Sequence, residues 1–104
     1  MIDRTEYFGR LAAESPAEPR ARYGYANALR QAGRMEEAAA EYRAYLALAE
    51  DEGAAWGQLA ECLAALGRTD EAADAYLSGI DAAARHGHTG LAGDYEQAVE
   101  ALGD

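Results

Sequence analysis

The sequence contains no lysine: all nine of its cations are arginine, set against nineteen carboxylates, for a formal net charge of −10. Its one cysteine, Cys62, leaves no partner for an intramolecular disulfide, which agrees with a reducing compartment. Half of the residues are hydrophobic, yet apolar runs extend for only a few residues, whereas a membrane-spanning helix needs about 20. The opening segment MIDRTEYFGRL has acidic residues among its first six and no long apolar core. It does not read as a secretory signal, so a cytoplasmic protein is expected. The acidic balance repels phosphate backbones, so neither nucleic acid nor a membrane is expected as a partner.

The charge is unevenly spread. Residues 1–34 carry six Arg and four acids, net +2, whereas residues 35–104 carry three Arg and fifteen acids, net −12. Acidic helix faces of this kind keep an alanine-rich protein soluble. A chain of 104 residues reads as one domain, long enough to bury about two thirds of its unfolded surface.

What is present is a repeat. Sliding the sequence by 34 residues places Leu29 on Leu63, Gly33 on Gly67, Arg34 on Arg68, Glu37 on Glu71, Ala38 on Ala72 and Tyr42 on Tyr76. A period of about 34 residues with small and aromatic residues at set offsets predicts stacked helix-turn-helix units. Tyr25 and Leu29 in one copy, and Trp56, Leu59 and Leu63 in the other, recur at spacings that place them along one helix side. Gly33 and Gly67 then end these first helices, because glycine accepts the left-handed backbone that closes a helix. The second helices open with acids, where the helix dipole favours them. Ala38 and Ala72 are small where the paired helix passes, and Tyr42 and Tyr76 fill the gap one turn on. A single unit cannot bury this much apolar surface, so neighbouring units stack.

The run Trp56-x-x-Leu59-Ala60-x-x-Leu63, followed by Gly67 and by Ala72-x-x-x-Tyr76, resembles the tetratricopeptide repeat (TPR) pattern. Ala60 stands where that pattern has glycine and Leu63 where it has tyrosine; both suit close packing. The resemblance implies an all-α fold, a right-handed α-α superhelix of about six antiparallel helices.

The flanks extend the pattern. In residues 3–14, Asp3 and Glu6 have capping-box spacing, and Tyr7, Phe8 and Leu11 make an expected buried stripe. Phe8 lies 34 residues before Tyr42, so this segment reads as the second helix of a half-repeat. Pro16 and Pro19 bracket a connector. Near the other end, Thr89 is an expected N-cap for an amphipathic helix bearing Leu91, Tyr95, Val99 and Leu102. A shift of 36 lays Tyr95, Val99 and Leu102 on Leu59, Leu63 and Leu66. The expected division of the single domain, 1–104, is therefore a half-repeat helix at 3–16, repeats at 19–52 and 53–86, and a capping helix at 90–104.

No catalytic constellation assembles from these residues. His86 and His88 share a glycine-flanked turn with no other His or Cys nearby in sequence, short of the three or four ligands zinc needs. His86 instead suits a helix C-terminus. Cys62, flanked by Leu59 and Leu63, reads as a small buried apolar residue with no base placed against it. Neither a catalytic carboxylate pair nor a phosphate-cradling glycine loop is present. The protein is expected to be no enzyme and to use no metal or cofactor.

The resemblance to TPR proteins implies where binding occurs, since in that family the first helices line a concave groove that holds partner peptides or helices. Carried over, the groove would present Arg20, Tyr23, Asn27, Arg30 and Gln31 from the first repeat. From the second it would present Gly57, Glu61, Ala64 and Ala65, and from the last helix Gly93, Gln97 and Glu100. Arg20 and Arg30 with Tyr23, Asn27 and Gln31 form a set able to hold an acidic peptide or a C-terminal carboxylate. Family members that clamp chaperone tails use an asparagine where Asn27 stands and basic residues on the first and third units. Here Tyr23 stands where lysine is expected and the last helix has no basic residue, so that specialised role is not implied. Two roles remain open: recruitment of a partner peptide or helix, and self-association, as in a homodimer, through Tyr7, Phe8 and Leu11 or the terminal helix.

Overall fold

The computed structural model describes residues 3–103. Met1 and Ile2, which open the expected domain span and the leader reading, and Asp104, which closes the expected capping segment, lie outside the described residues. Among the described residues there are six helices and no strand: α1 Arg4–Glu14, α2 Pro19–Gln31, α3 Met35–Leu48, α4 Ala54–Ala65, α5 Thr69–Arg85 and α6 Thr89–Leu102. The fold is all-α, as the repeat pattern predicts. Helices α1–α3 form one compact unit and α4–α6 another, with the division between Glu50 and Asp51.

Three of the links between helices are built alike. Gly33 (φ 80°), Gly67 (φ 77°) and Gly87 (φ 78°) adopt the left-handed backbone that side chains disfavour. In each link the next residue's N–H reaches back to a carbonyl near the end of the preceding helix. Arg34 donates to the Leu29 carbonyl at 2.9 Å, Arg68 to Leu63 at 2.9 Å and His88 to Ala83 at 2.8 Å. This closure satisfies carbonyls that a helix end otherwise leaves open and reverses the chain within two residues. Arg34, Arg68 and His88 then cap the following helices without a side-chain cap bond. Thr89, the expected N-cap, is instead the first residue of α6; the glycine reversal had already placed His88 in the capping position. Arg34 also pairs with Glu37 through two bonds of 2.8 and 2.6 Å, and that hydrogen bond holds the Glu37 carboxyl below the ordinary carboxylate value.

In the first unit α2 packs between α1 and α3. Ala26, Leu29, Ala38 and Tyr42 are fully buried. Asp3 caps α1 by accepting from the Thr5 N–H at 3.0 Å. The stripe expected of Tyr7, Phe8 and Leu11 is corrected: Thr5 and Ala12 are the buried residues of α1, Phe8 and Leu11 are half-buried, and Tyr7 is 48% exposed. The reason is close approach. Gly9 comes under the Tyr25 ring and Gly24 under the Phe8 ring, so α1 leans on α2 through its glycine side and turns Tyr7 outward.

In the second unit α5 packs between α4 and α6. The Asp51 carboxylate accepts from the N–H groups of Gly53 at 2.8 Å and Ala55 at 2.9 Å, opening α4 in place of a capping side chain on Gly53. Leu59, Ala60, Cys62, Leu63 and Ala72 are buried, as expected, and Trp56 is half-buried. Tyr95 of α6 enters a notch that only glycines permit. A Cβ on Gly57 would lie 2.1 Å from the Tyr95 Oη, and one on Gly79 would lie 2.9 Å from the ring. The Tyr95 hydroxyl donates to the Gly53 carbonyl at 2.9 Å. Burial, with the nearby carboxylates of Asp51 and Glu61 adding to it, pushes Tyr95 up to about 12.

Gly57→Ala is expected to overpack the notch and to lower stability by about 1–3 kcal/mol, measured by urea unfolding, and to return Tyr95 toward an ordinary phenol in an ultraviolet titration. Gly33→Ala, with nothing within 4 Å of its added Cβ, costs only backbone strain of about 1–2 kcal/mol and leaves that titration unchanged. The raised Tyr95 value also sets an alkaline limit: the contribution is complete below pH 10, the unfolded value, and is lost as pH rises toward 12. Tyr95→Phe removes that part of the pH dependence.

Candidate functional site

Helix α2, PRARYGYANALRQ, contains Arg20, Arg22 and Arg30 and no acid, in a chain of net charge −10. Pro19 sets the first turn, and the Glu18 carboxylate caps it by accepting from the Arg20 N–H at 3.2 Å. Successive offsets of three, four and three residues place Arg20, Tyr23, Asn27 and Arg30 along one side of the helix.

The structure divides these residues among three settings. Tyr23, Asn27 and Arg30 converge on α3. The fully buried Tyr42 accepts from the Arg30 Nε at 3.0 Å, and its hydroxyl donates to the Asn27 Oδ1. Tyr23 lies tilted against Tyr45, ring centroids 4.8 Å apart, and edge-on to Tyr42 at 6.1 Å. Gln31, at the exposed end of α2, faces α1 and accepts from the Arg4 guanidinium at 3.2 Å. Arg20 borders an open pocket of about 430 Å³ lined also by Phe8, Leu11, Ser15, Glu18 and Ala21. Arg22 pairs with Glu41 at 2.8 Å and donates to the Pro16 carbonyl at 3.1 Å, tying α2 to α3 and to the connector.

The convergence at Tyr42 has a chemical consequence. The Asn27 carbonyl oxygen faces the Tyr42 hydroxyl, which turns its amide nitrogen, a donor, to the other side. Arg30 offers only donors. The cluster therefore presents N–H groups and positive charge, a combination suited to a carboxylate.

In the second unit Glu61 is exposed on α4, and its charge adds to the burial that raises Tyr76 and Tyr95. Ala64 and Ala65 are exposed, as are Gln97 and Glu100 on α6, with Gly93 half-buried. Gly57, expected to present backbone to a ligand, is instead covered by Tyr95. Cys62 is buried. No group of three or more possible metal ligands occurs among the described residues, and no helix there is long and apolar enough to cross a membrane. His88 meets Glu52 at 2.7 Å, and this hydrogen bond lowers the Glu52 carboxyl. The hydroxyl of Tyr42 and the pairing of His88 with Glu52 are contacts that helical spacing does not reveal; the polar tip of an otherwise buried tyrosine was the available signal for the first.

Comparison with known proteins adds context. A family model described as tetratricopeptide repeat matches residues 5–56 and 29–87. No curated protein matches the sequence at a significant level. Among solved structures the chain is similar to PcrH, crystallised in complex with the chaperone binding region of PopD. The TM-score is 0.85 at 24% identity, over 94% of this chain and 74% of that one. It is similar also to SycD, a type III secretion translocator chaperone of Yersinia enterocolitica, with TM-score 0.85 at 19% identity, over 94% of this chain and 68% of that one.

Tyr42→Phe deletes one hydroxyl and leaves the ring in place. It is expected to lower stability by about 1 kcal/mol in urea unfolding, with helical content unchanged by circular dichroism.

Proposed function

The chain belongs to the tetratricopeptide repeat family, and from that membership we propose a non-enzymatic protein–protein interaction module that holds a peptide or helix of a partner protein. The binding face is the side of α2 bearing Tyr23, Asn27 and Arg30, flanked by Arg20 and Gln31. The partner segment is acidic. It places a carboxylate against the Arg30 guanidinium and the Asn27 amide.

The observation that carries this reading is the orientation of the cluster: the Tyr42 hydroxyl donates to the Asn27 carbonyl oxygen and accepts from the Arg30 Nε, which fixes an amide and a guanidinium beside each other on one helix side. Holding these groups in place before binding reduces the entropy lost on association. The cationic, acid-free α2 sits in an otherwise acidic molecule, which favours an acidic ligand there and repels it elsewhere. The structure of PcrH with a segment of PopD supports the general idea that this fold receives a protein segment.

Selection from a displayed peptide library tests the proposal. Peptides captured by the wild-type protein are expected to be enriched in Asp and Glu, and Arg30→Glu is expected to weaken them at least thirtyfold, the equivalent of about 2 kcal/mol for a charged hydrogen bond. Identical peptide sets and affinities for both proteins remove this face from consideration.

A further inference from the structure

Two helix sides in this molecule are more open than their repeat equivalents. Stepping back 68 residues from α5 places Arg4, Tyr7 and Leu11 of α1 where Ala72, Ala75 and Gly79 stand. Those α5 residues are buried, whereas Arg4 is exposed, Tyr7 is 48% exposed and Leu11 is half-buried. In α5 the stripe is covered from both sides, by the first helix of its own hairpin and by α6: the Trp56 Cβ of α4 lies 3.0 Å, and the Tyr95 ring 2.9 Å, from where a Gly79 Cβ would be, whereas α1 packs mainly on α2. Stepping forward 36 residues from α4 places Ala98 and Val99 of α6 where Cys62 and Leu63 stand. Cys62 and Leu63 are fully buried, while Ala98 and Val99 are half-buried. Helix α1 thus has the form of a hairpin's second helix with its covering side open, and α6 that of a first helix with its packing side open.

We propose that these two sides cover each other between copies, α6 of one molecule docking on α1 of the next. The charges permit it: α6 carries Asp94, Glu96 and Glu100 and no cation, while α1 balances Arg4 and Arg10 against Glu6 and Glu14, so an acidic helix meets a neutral one. The pocket of about 430 Å³ beside Phe8 and Leu11 gives an apolar side chain of the incoming helix a place to enter. The surfaces that meet are different, so each bound copy still has one open side and assembly continues past two chains. Each copy carries a net charge of −10, so salt screens the repulsion between copies and leaves the apolar contact in place. This contact shares the Arg20 border of the pocket with the face proposed for peptide capture and otherwise uses other residues.

Sedimentation velocity at about 0.15 M salt, from micromolar to millimolar protein, reads the outcome. The wild-type protein is expected to grow with concentration to species larger than a dimer. Tyr7→Glu blocks one side and Val99→Arg the other, so each alone is expected to remain monomeric, while an equimolar mixture forms a complex of two chains and no more. A wild-type protein that stays monomeric throughout overturns the proposal, including the case in which a foreign helix occupies α1. So does a wild-type protein that stops at a dimer, or one whose Val99→Arg variant still dimerises, since either result means a symmetric contact. A mixture without complex, when circular dichroism shows both variants helical, overturns it too. If either variant loses its helical signal, the surface changes Arg10→Glu and Glu100→Arg replace the pair and are judged by the same outcomes.

Discussion

One backbone reversal underlies the structure: a glycine at positive φ whose following N–H returns to a carbonyl of the helix just ended. Its three occurrences, at Gly33, Gly67 and Gly87, each close one helix and start the next within two residues. A turn this short leaves the second helix no choice but to fold back along the first. The small residues Ala38 and Ala72 are then required where the helices touch, and both are fully buried. Close approach of helix axes follows from the turn chemistry rather than from any strong attraction between the helices.

Alanine-rich contacts bring helices close but leave gaps that only a few large side chains fill, and in each unit a tyrosine does so. Tyr42 and Tyr95 bring apolar rings to the interior and then must place a hydroxyl. Tyr42 does so on Asn27 and Arg30, Tyr95 on the Gly53 carbonyl. Among the described residues, no buried side-chain polar atom lacks a hydrogen-bond partner, so packing and polar satisfaction are met by the same rings. In the first unit that solution also orients the residues proposed to bind a partner. In the second it requires Gly57 and Gly79 to remain glycine.

The helices were legible because residue identities at a fixed spacing report local backbone chemistry. Gly33 and Gly67 announced their turns, and Leu29, Leu63, Ala38 and Ala72 announced a helix side. Gly87-His88 is the same turn with histidine in place of arginine, and reading it as such would have placed the cap on His88 instead of Thr89. Tyr7 was not legible in this way. Helical spacing shows that Tyr7, Phe8 and Leu11 share a side of α1, but the close approaches at two glycines, Gly9 of α1 under Tyr25 and Gly24 of α2 under Phe8, decide which part of that side is covered. For the candidate face, the resemblance to TPR proteins brought Tyr23, Asn27 and Arg30 together. It could not show that Gln31 turns to Arg4, that Arg20 belongs to a pocket with Phe8, or that Tyr42 directs the Asn27 amide, because those contacts join separate helices.

Trp56, the sole tryptophan, lies half-buried on α4 with its Cβ against Gly79. Its emission therefore reports on α4–α6, whereas far-ultraviolet circular dichroism sums all six helices. Comparing the two signals during unfolding distinguishes a molecule that melts as one from a molecule whose halves melt separately, with no label added to either half.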